Sequence, residues 1–89
     1  MQVDQNDIGD VVKRLRRAEG QIRGVIAMLE AGRDCTEVVT QLSAVARAID
    51  RAGFKIIASG LQQCMAAPEG SDQRQTDIEQ MEKLFLSLA

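Results

Sequence analysis

Two cysteines, Cys35 and Cys64, and a group of arginines are the residues of this chain with chemistry to offer. A deprotonated cysteine sulfur is a nucleophile, a soft metal ligand and a redox centre. Cys35 follows Arg33 and Asp34 at the start of a helical stretch, where the positive helix end and a guanidinium favour the thiolate. Cys64 lies 29 residues further on, near the end of the same stretch, on an apolar flank with no cation beside it. In one straight helix the two fall within about 20° of the same azimuth but roughly 43 Å apart. A disulfide tolerates only about 7 Å between Cα atoms, so they cannot meet within the chain. An antiparallel pair of identical helices places Cys35 of one copy beside Cys64 of the other. Spacing alone leaves two readings open: small core hydrophobes, or a nucleophilic thiol facing a resolving one.

The cationic residues are unevenly placed. Lys13, Arg14, Arg16, Arg17 and Arg23 crowd residues 13–23 against Glu19 alone, and Arg47, Arg51 and Lys55 follow at four-residue steps. Lys13, Arg14, Arg17, Arg47 and Arg51 are the candidate contacts to the phosphates of double-stranded DNA. A solvated helix face is the plain alternative. The net charge of −2 does not oppose DNA binding, because placement outweighs the sum. No helix-turn-helix is evident, so binding would rest on phosphate contacts and duplex shape with arginine readout added. With no Trp or Tyr and only two Phe, base stacking on single strands is disfavoured. Histidine is absent, which removes imidazole as base and ligand. No cofactor loop is present either, and the chain does not read as an enzyme.

These residues must be positioned by helices. Ile8, Val11, Val12, Leu15, Ile22, Val25, Ile26 and Leu29 give helical spacing from about Asp7 to Leu29, with Gly20 and Gly24 open to close helix approach. Gly32 suits a left-handed residue after that helix. Residues 34–66 read as one long helix, with Asp34 as N-cap, Glu37 completing a capping box and Pro68 barring continuation. Its apolar face runs through Val38, Leu42, Val45, Ile49, Ala52, Ile56 and Gly60/Leu61. Ser71 caps a third helix, whose apolar side is Ile78, Met81, Leu84, Phe85 and Leu88. The prediction is an all-α single domain over residues 1–89, with three helices per chain. A helix of about 45 Å outruns so small a domain, so two hairpins should pair as an antiparallel four-helix bundle. The absence of a signal peptide or an apolar run of membrane length predicts a cytoplasmic protein with no membrane partner.

The stretches RLRRAEGQIRGVIAMLEAGRDC and QLSAVARAIDRA resemble the CsoR/RcnR family of small helical repressors. The likeness covers nearly the whole chain, and its R-x-x-G-Q-[IL]-x-G and D-C-x-x-V-x-x-Q-[IL]-x-A blocks are specific. The resemblance implies homotetramers built from four-helix-bundle homodimers, which release operator DNA when an inducer reacts at cysteine. By position Arg14 and Arg51 match the family's DNA-contacting arginines, and Cys35 and Cys64 match its inter-subunit inducer site. Copper-sensing members carry histidine where this chain has Gly60, and an acid where it has Gln80. Nickel and cobalt sensing needs further histidines, and formaldehyde-sensing members lack the second cysteine. Two cysteines without the histidine are most similar to the persulfide-sensing CstR branch. The expectation is therefore a repressor without a cofactor. Cys35 takes sulfane sulfur from persulfide or polysulfide, and the partner's Cys64 closes a di-, tri- or tetrasulfide that releases sulfide-detoxification genes. A Cu(I)-responsive repressor using the same thiolates as metal ligands is the alternative. A helical adaptor with structural cysteines is a third reading.

Overall fold

Three short polar side chains divide the chain into helices. Asp4 accepts the Asn6 N–H at 2.8 Å, Asp34 accepts the Thr36 N–H at 3.0 Å, and Ser71 accepts the Arg74 N–H at 3.2 Å. Each such cap contributes about 1 kcal/mol. The computed structural model describes residues 2–89, in which α1 spans Gln5–Glu30, α2 Cys35–Ala66 and α3 Asp72–Leu88. No strand occurs among the described residues. Gly32 takes φ 72, and the Arg33 N–H closes on the Met28 carbonyl at 3.0 Å, the left-handed stop expected there.

α2 is the shared element. α1 and α3 each pack on it and, among the described residues, not on one another. α3 folds back along the C-terminal half of α2. Arg74 donates to the Met65 sulfur at 2.8 Å, the Phe54 and Phe85 rings stand 5.5 Å apart, and Leu88 reaches Gly53. A Cβ on Gly53 would lie 2.7 Å from Leu88 Cδ1, so this glycine admits the end of α3. Gly20 and Gly24, expected to admit a helix, have no such neighbour: only the end of Arg23 comes within 4.0 Å of a Cβ at Gly20.

Burial repeats every seven residues. Val11, Ala18 and Val25 of α1 are buried, as are Val38, Val45, Ala52 and Ser59 of α2. This is one column of a coiled-coil seam. The adjoining column, Ile8, Leu15, Ile22 and Leu29 with Leu42, Ile49 and Ile56, stays 37–62% exposed. The single apolar face read from the sequence is thus split, half closed within the hairpin and half open. The molecule measures 57 × 24 × 12 Å. Its radius of gyration is 17.1 Å, against about 12 Å for a compact domain of this length. Its 6527 Å² of accessible surface likewise exceeds the roughly 5,100 Å² expected of a folded monomer of this mass.

The seven-residue repeat also corrects the expected position of the thiols. A helix following such a seam turns about 103° per residue in the frame of its neighbours, not 100°. Over 29 residues the difference moves Cys64 off the azimuth of Cys35. Cys35 continues the open column Leu42, Ile49, Ile56, whereas Cys64 falls one residue past its last position, Gln63. Cys35 is exposed and Cys64 is fully buried within its own chain. The two sulfurs do not share one flank.

Candidate DNA-binding groove and thiol site

Arg14, Arg17, Arg47 and Arg51 converge. They line one open groove of about 260 Å³ between α1 and α2, whose remaining walls are Gln21, Ala44 and Ala48. The geometry follows from the antiparallel hairpin, which sets the side columns of two helices facing across a channel. The small alanines keep its floor low, and the long arginine stems reach over it. A guanidinium is always charged and presents five donors, so four around one channel form a donor set of the kind that suits phosphate oxygens. Lys13 is exposed but does not line the groove. Gln21 does, and sequence reasoning gave it no role. Its signal was its place seven residues after Arg14, in the same column of the helix.

Two of the flanking acids are already engaged. Asp10 accepts Arg14 Nε at 3.0 Å, and this hydrogen bond holds the Asp10 carboxyl below its ordinary value. Lys55 lies 3.8 Å from Asp7. The bond to Asp10 is made through Arg14 Nε.

Around Cys35 the expected cation is not left to the sulfur. Arg33 donates through Nε and Nη2 to both carboxylate oxygens of Glu37, at 3.0 and 3.1 Å. That pair lowers the Glu37 carboxyl, helped by the Asp34 backbone N–H, and raises the Arg33 guanidinium. Asp34 caps α2 through the Thr36 N–H and not through the Glu37 N–H that a full capping box needs, and Arg33 is spent on Glu37. What remains near Cys35 is the positive end of α2.

At the far end of α2, Ser59, Gly60 and Cys64 are buried together. The N-terminal segment lies over this region. The Gln2 N–H donates to Gln63 Oε1 at 2.9 Å, and the Asp4 N–H to Ser59 Oγ at 2.7 Å. No group of three His, Cys, Asp or Glu side chains among the described residues is placed to hold a metal ion.

The chain is of the small all-helical class, with a groove lined by four arginines and a cysteine near each end of its long helix. Residues 7–87 match the family described as metal-sensitive transcriptional repressor, and the chain belongs to that family. It is 42% identical over 60 residues to the copper-sensing transcriptional repressor RicR of Mycobacterium tuberculosis, covering 65% of this chain and 62% of that protein. The copper-sensing repressor CsoR of Bacillus subtilis is 29% identical over 75 residues, covering 84% of this chain and 74% of that one. The chain spans about 60% of the length of RicR and of the CsoR of Mycobacterium ulcerans, to which it is 33% identical over 79% of its own length. Among solved structures, the nickel-responsive regulator InrS superposes with a TM-score of 0.80 at 28% identity, over 97% of each chain. A variant of the formaldehyde-responsive regulator FrmR from Salmonella enterica, at 23% identity and a TM-score of 0.81, shares the fold over 97% of this chain and 98% of that one. RicR and the two CsoR proteins are transcriptional repressors, not enzymes. No helix among the described residues is long and apolar enough to cross a membrane.

Proposed function

We propose that this chain is an operator-binding repressor, working as a two-fold dimer that pairs again into a tetramer, with thiols as its switch. The observation that carries this reading is the heptad column Cys35, Leu42, Ile49, Ile56, Gln63 of α2, exposed from Cys35 to Ile56 and half-buried at Gln63. Its members are seven residues apart and centred on Ile49. A two-fold axis at Ile49 sets α2 antiparallel to its copy. Leu42 then meets the partner's Ile56, and Cys35 meets the partner's Gln63, which adjoins the partner's Cys64. Each end of the paired helices gathers one Cys35 and one Cys64. The same axis duplicates the arginine groove, which suits duplex DNA with dyad symmetry.

Cu(I) is the inducer that the copper-sensing relatives favour. Cys35 and the partner's Cys64 would supply two soft thiolates, a donor set that suits this ion. Sulfane sulfur is the second reading, and Gly60 favours it: the position of the copper sensors' histidine offers no third ligand, and the chain has no histidine at all. In that chemistry the Cys35 thiolate attacks a terminal sulfur of a polysulfide, forming Cys35–S–SH and expelling the shortened polysulfide with its electron pair. The partner's Cys64 thiolate then attacks the inner sulfur and expels hydrosulfide. The two thiols are oxidised to a disulfide and the sulfane sulfur is reduced; a second persulfide as attacking group gives the longer bridge. Either inducer must separate the DNA-binding and released states by about 5.5 kcal/mol to move occupancy from 99:1 to 1:99.

The test is a gel shift of the duplex upstream of the protein's own gene with reduced protein, repeated after Cu(I) or polysulfide, with intact masses taken alongside. Release with a gain of copper mass supports the metal reading. Release with a gain of sulfur, or with a covalent dimer on a non-reducing gel, supports the sulfur reading. No salt-dependent shift by reduced protein would overturn the assignment as a DNA-binding repressor.

A further inference from the structure

The buried column of α2 runs Val38, Val45, Ala52, Ser59, and its last member is polar. Ser59 is 1% exposed, and a hydroxyl in such a place costs stability unless it is hydrogen-bonded. Its Oγ accepts the backbone N–H of Asp4 at 2.7 Å. Asp4 is the residue from which α1 starts. Its side chain accepts the Asn6 N–H at 2.8 Å, and its carbonyl accepts the N–H groups of Asp7 and Ile8 at 2.9 and 3.2 Å. One residue is thus tied forward into α1 and sideways into α2. The tie continues on both sides at four-residue steps of α2: Gln63 Oε1 accepts the Gln2 N–H at 2.9 Å, and Lys55 stands 3.8 Å from Asp7. The next residue in that row is Arg51, which lines the arginine groove.

We propose that Ser59 is a positioning residue for DNA binding: by fixing the start of α1 on α2, it holds Arg14 and Arg17 level with Arg47 and Arg51. The inference rests on the DNA-binding reading above. The rest of the buried seam is Val11, Ala18 and Val25 of α1 with Val38, Val45 and Ala52 of α2, and apolar burial is non-directional. It draws the helices together without fixing how one slides or turns along the other. A hydrogen bond is directional, and one polar residue at a seam position sets register at some cost in stability. The far end of α1 is fastened to α2 by the turn after Glu30. Arg14 lies ten residues from Asp4, about 15 Å along the helix. A helix tied at both ends holds arginines there more closely than one tied at the turn alone.

Binding of reduced protein to the duplex upstream of its own gene, followed by fluorescence anisotropy at low salt, tests this in two comparisons. Ser59→Ala removes the acceptor and is read against the parent. Asp4 has φ −59, a value proline adopts, so Asp4→Pro removes the N–H with the backbone angle kept. Asp4→Ala loses the same side-chain cap but keeps the N–H, and is the reference for Asp4→Pro. Affinity should fall about tenfold in each comparison, the effect of leaving one buried group without its partner. Circular dichroism should show unchanged helix content. The loss should vanish in an Arg14→Ala/Arg17→Ala background, where Ser59 has nothing left to position; a purely structural role lowers affinity by the same factor in both backgrounds. Unchanged affinity in either comparison, or an equal loss with and without the two arginines, overturns the inference. Where Ser59→Ala loses helix, the Asp4 pair decides alone. If the parent binds and the variants match their references, only the role of Ser59 falls. If the parent shows no salt-dependent binding, the DNA-binding reading falls and the role of Ser59 with it.

Discussion

Replacing Ile49 by aspartate should break the assembly at its centre. Ile49 is 41% exposed in the single chain, and the proposed two-fold axis would set it against its own copy. The seven open-column side chains of α1 and α2 are 37–62% exposed. Covering them removes from water the equivalent of about three whole aliphatic side chains per chain, or about 5–9 kcal/mol. Doubled across a dimer, that exceeds most of the cost of association, about 4–15 kcal/mol. The aspartate loses Ile49's share on both copies, about 1–2 kcal/mol together. It also brings two carboxylates together in a dry layer, which adds several kcal/mol. The dimer dissociation constant should rise by at least about a thousandfold, a change of about 4 kcal/mol. Sedimentation equilibrium across a concentration series reads this directly, with circular dichroism to follow helix content. An Ile49→Asp protein that assembles as tightly as its parent would refute the reasoning, because the open column would then not be the interface.

Arg14→Ala and Arg51→Ala should each weaken operator binding, and the slope of log affinity against log salt should flatten by about 0.9 for each phosphate no longer neutralised; titration at three salt concentrations checks both. Cys35→Ala should bind operator like its parent and ignore Cu(I) and polysulfide, whereas Cys64→Ala should gain sulfur at Cys35 without forming a covalent dimer on a non-reducing gel. Gly53→Val should push Leu88 off α2 and destabilise the α3 docking by about 1–3 kcal/mol, read as a lower melting temperature. Glu37 supplies a pH signature. Its folded-state carboxyl is held below the ordinary range by Arg33, so its contribution is present above that range and fades as pH falls through the lowered value. Glu37→Gln should flatten that part of an acid unfolding curve.

The helices themselves were legible because their ends are chemical. Asp34 and Ser71 accept N–H groups as side chains of their type should, and Gly32 turns where only glycine turns easily. The groove was half legible. Arg14, Arg17, Arg47 and Arg51 were singled out by charge, but their meeting across two helices depends on the hairpin register, which one helical wheel does not contain. Lys13 looked equivalent and is not, for the same reason. Gln21 was hidden because a neutral amide draws no notice until a groove gives it neighbours. The thiols show a subtler limit. A difference of about 3° per residue between a straight and a supercoiled helix is invisible over one turn and amounts to roughly 83° over 29 residues. Leu88 against Gly53 could not be read at all, since the two are brought together by the return of α3.

The open column of α2 makes the helix a ruler. Two heptads separate Ile49 from Cys35 and two separate it from Gln63, so in the proposed two-fold pairing the midpoint at Ile49 and the sulfur of Cys35 are calibrated against each other. Inserting one residue between Cys35 and Leu42 would swing the sulfur by about 100° and slide it about 1.5 Å, leaving every other layer intact. Adding seven residues on one side alone would keep the stripe but move the axis and strand both ends. Length changes in this helix are therefore tolerable only as matched additions of whole heptads on either side of Ile49, and the spacing of the two cysteines is as constrained as their identity.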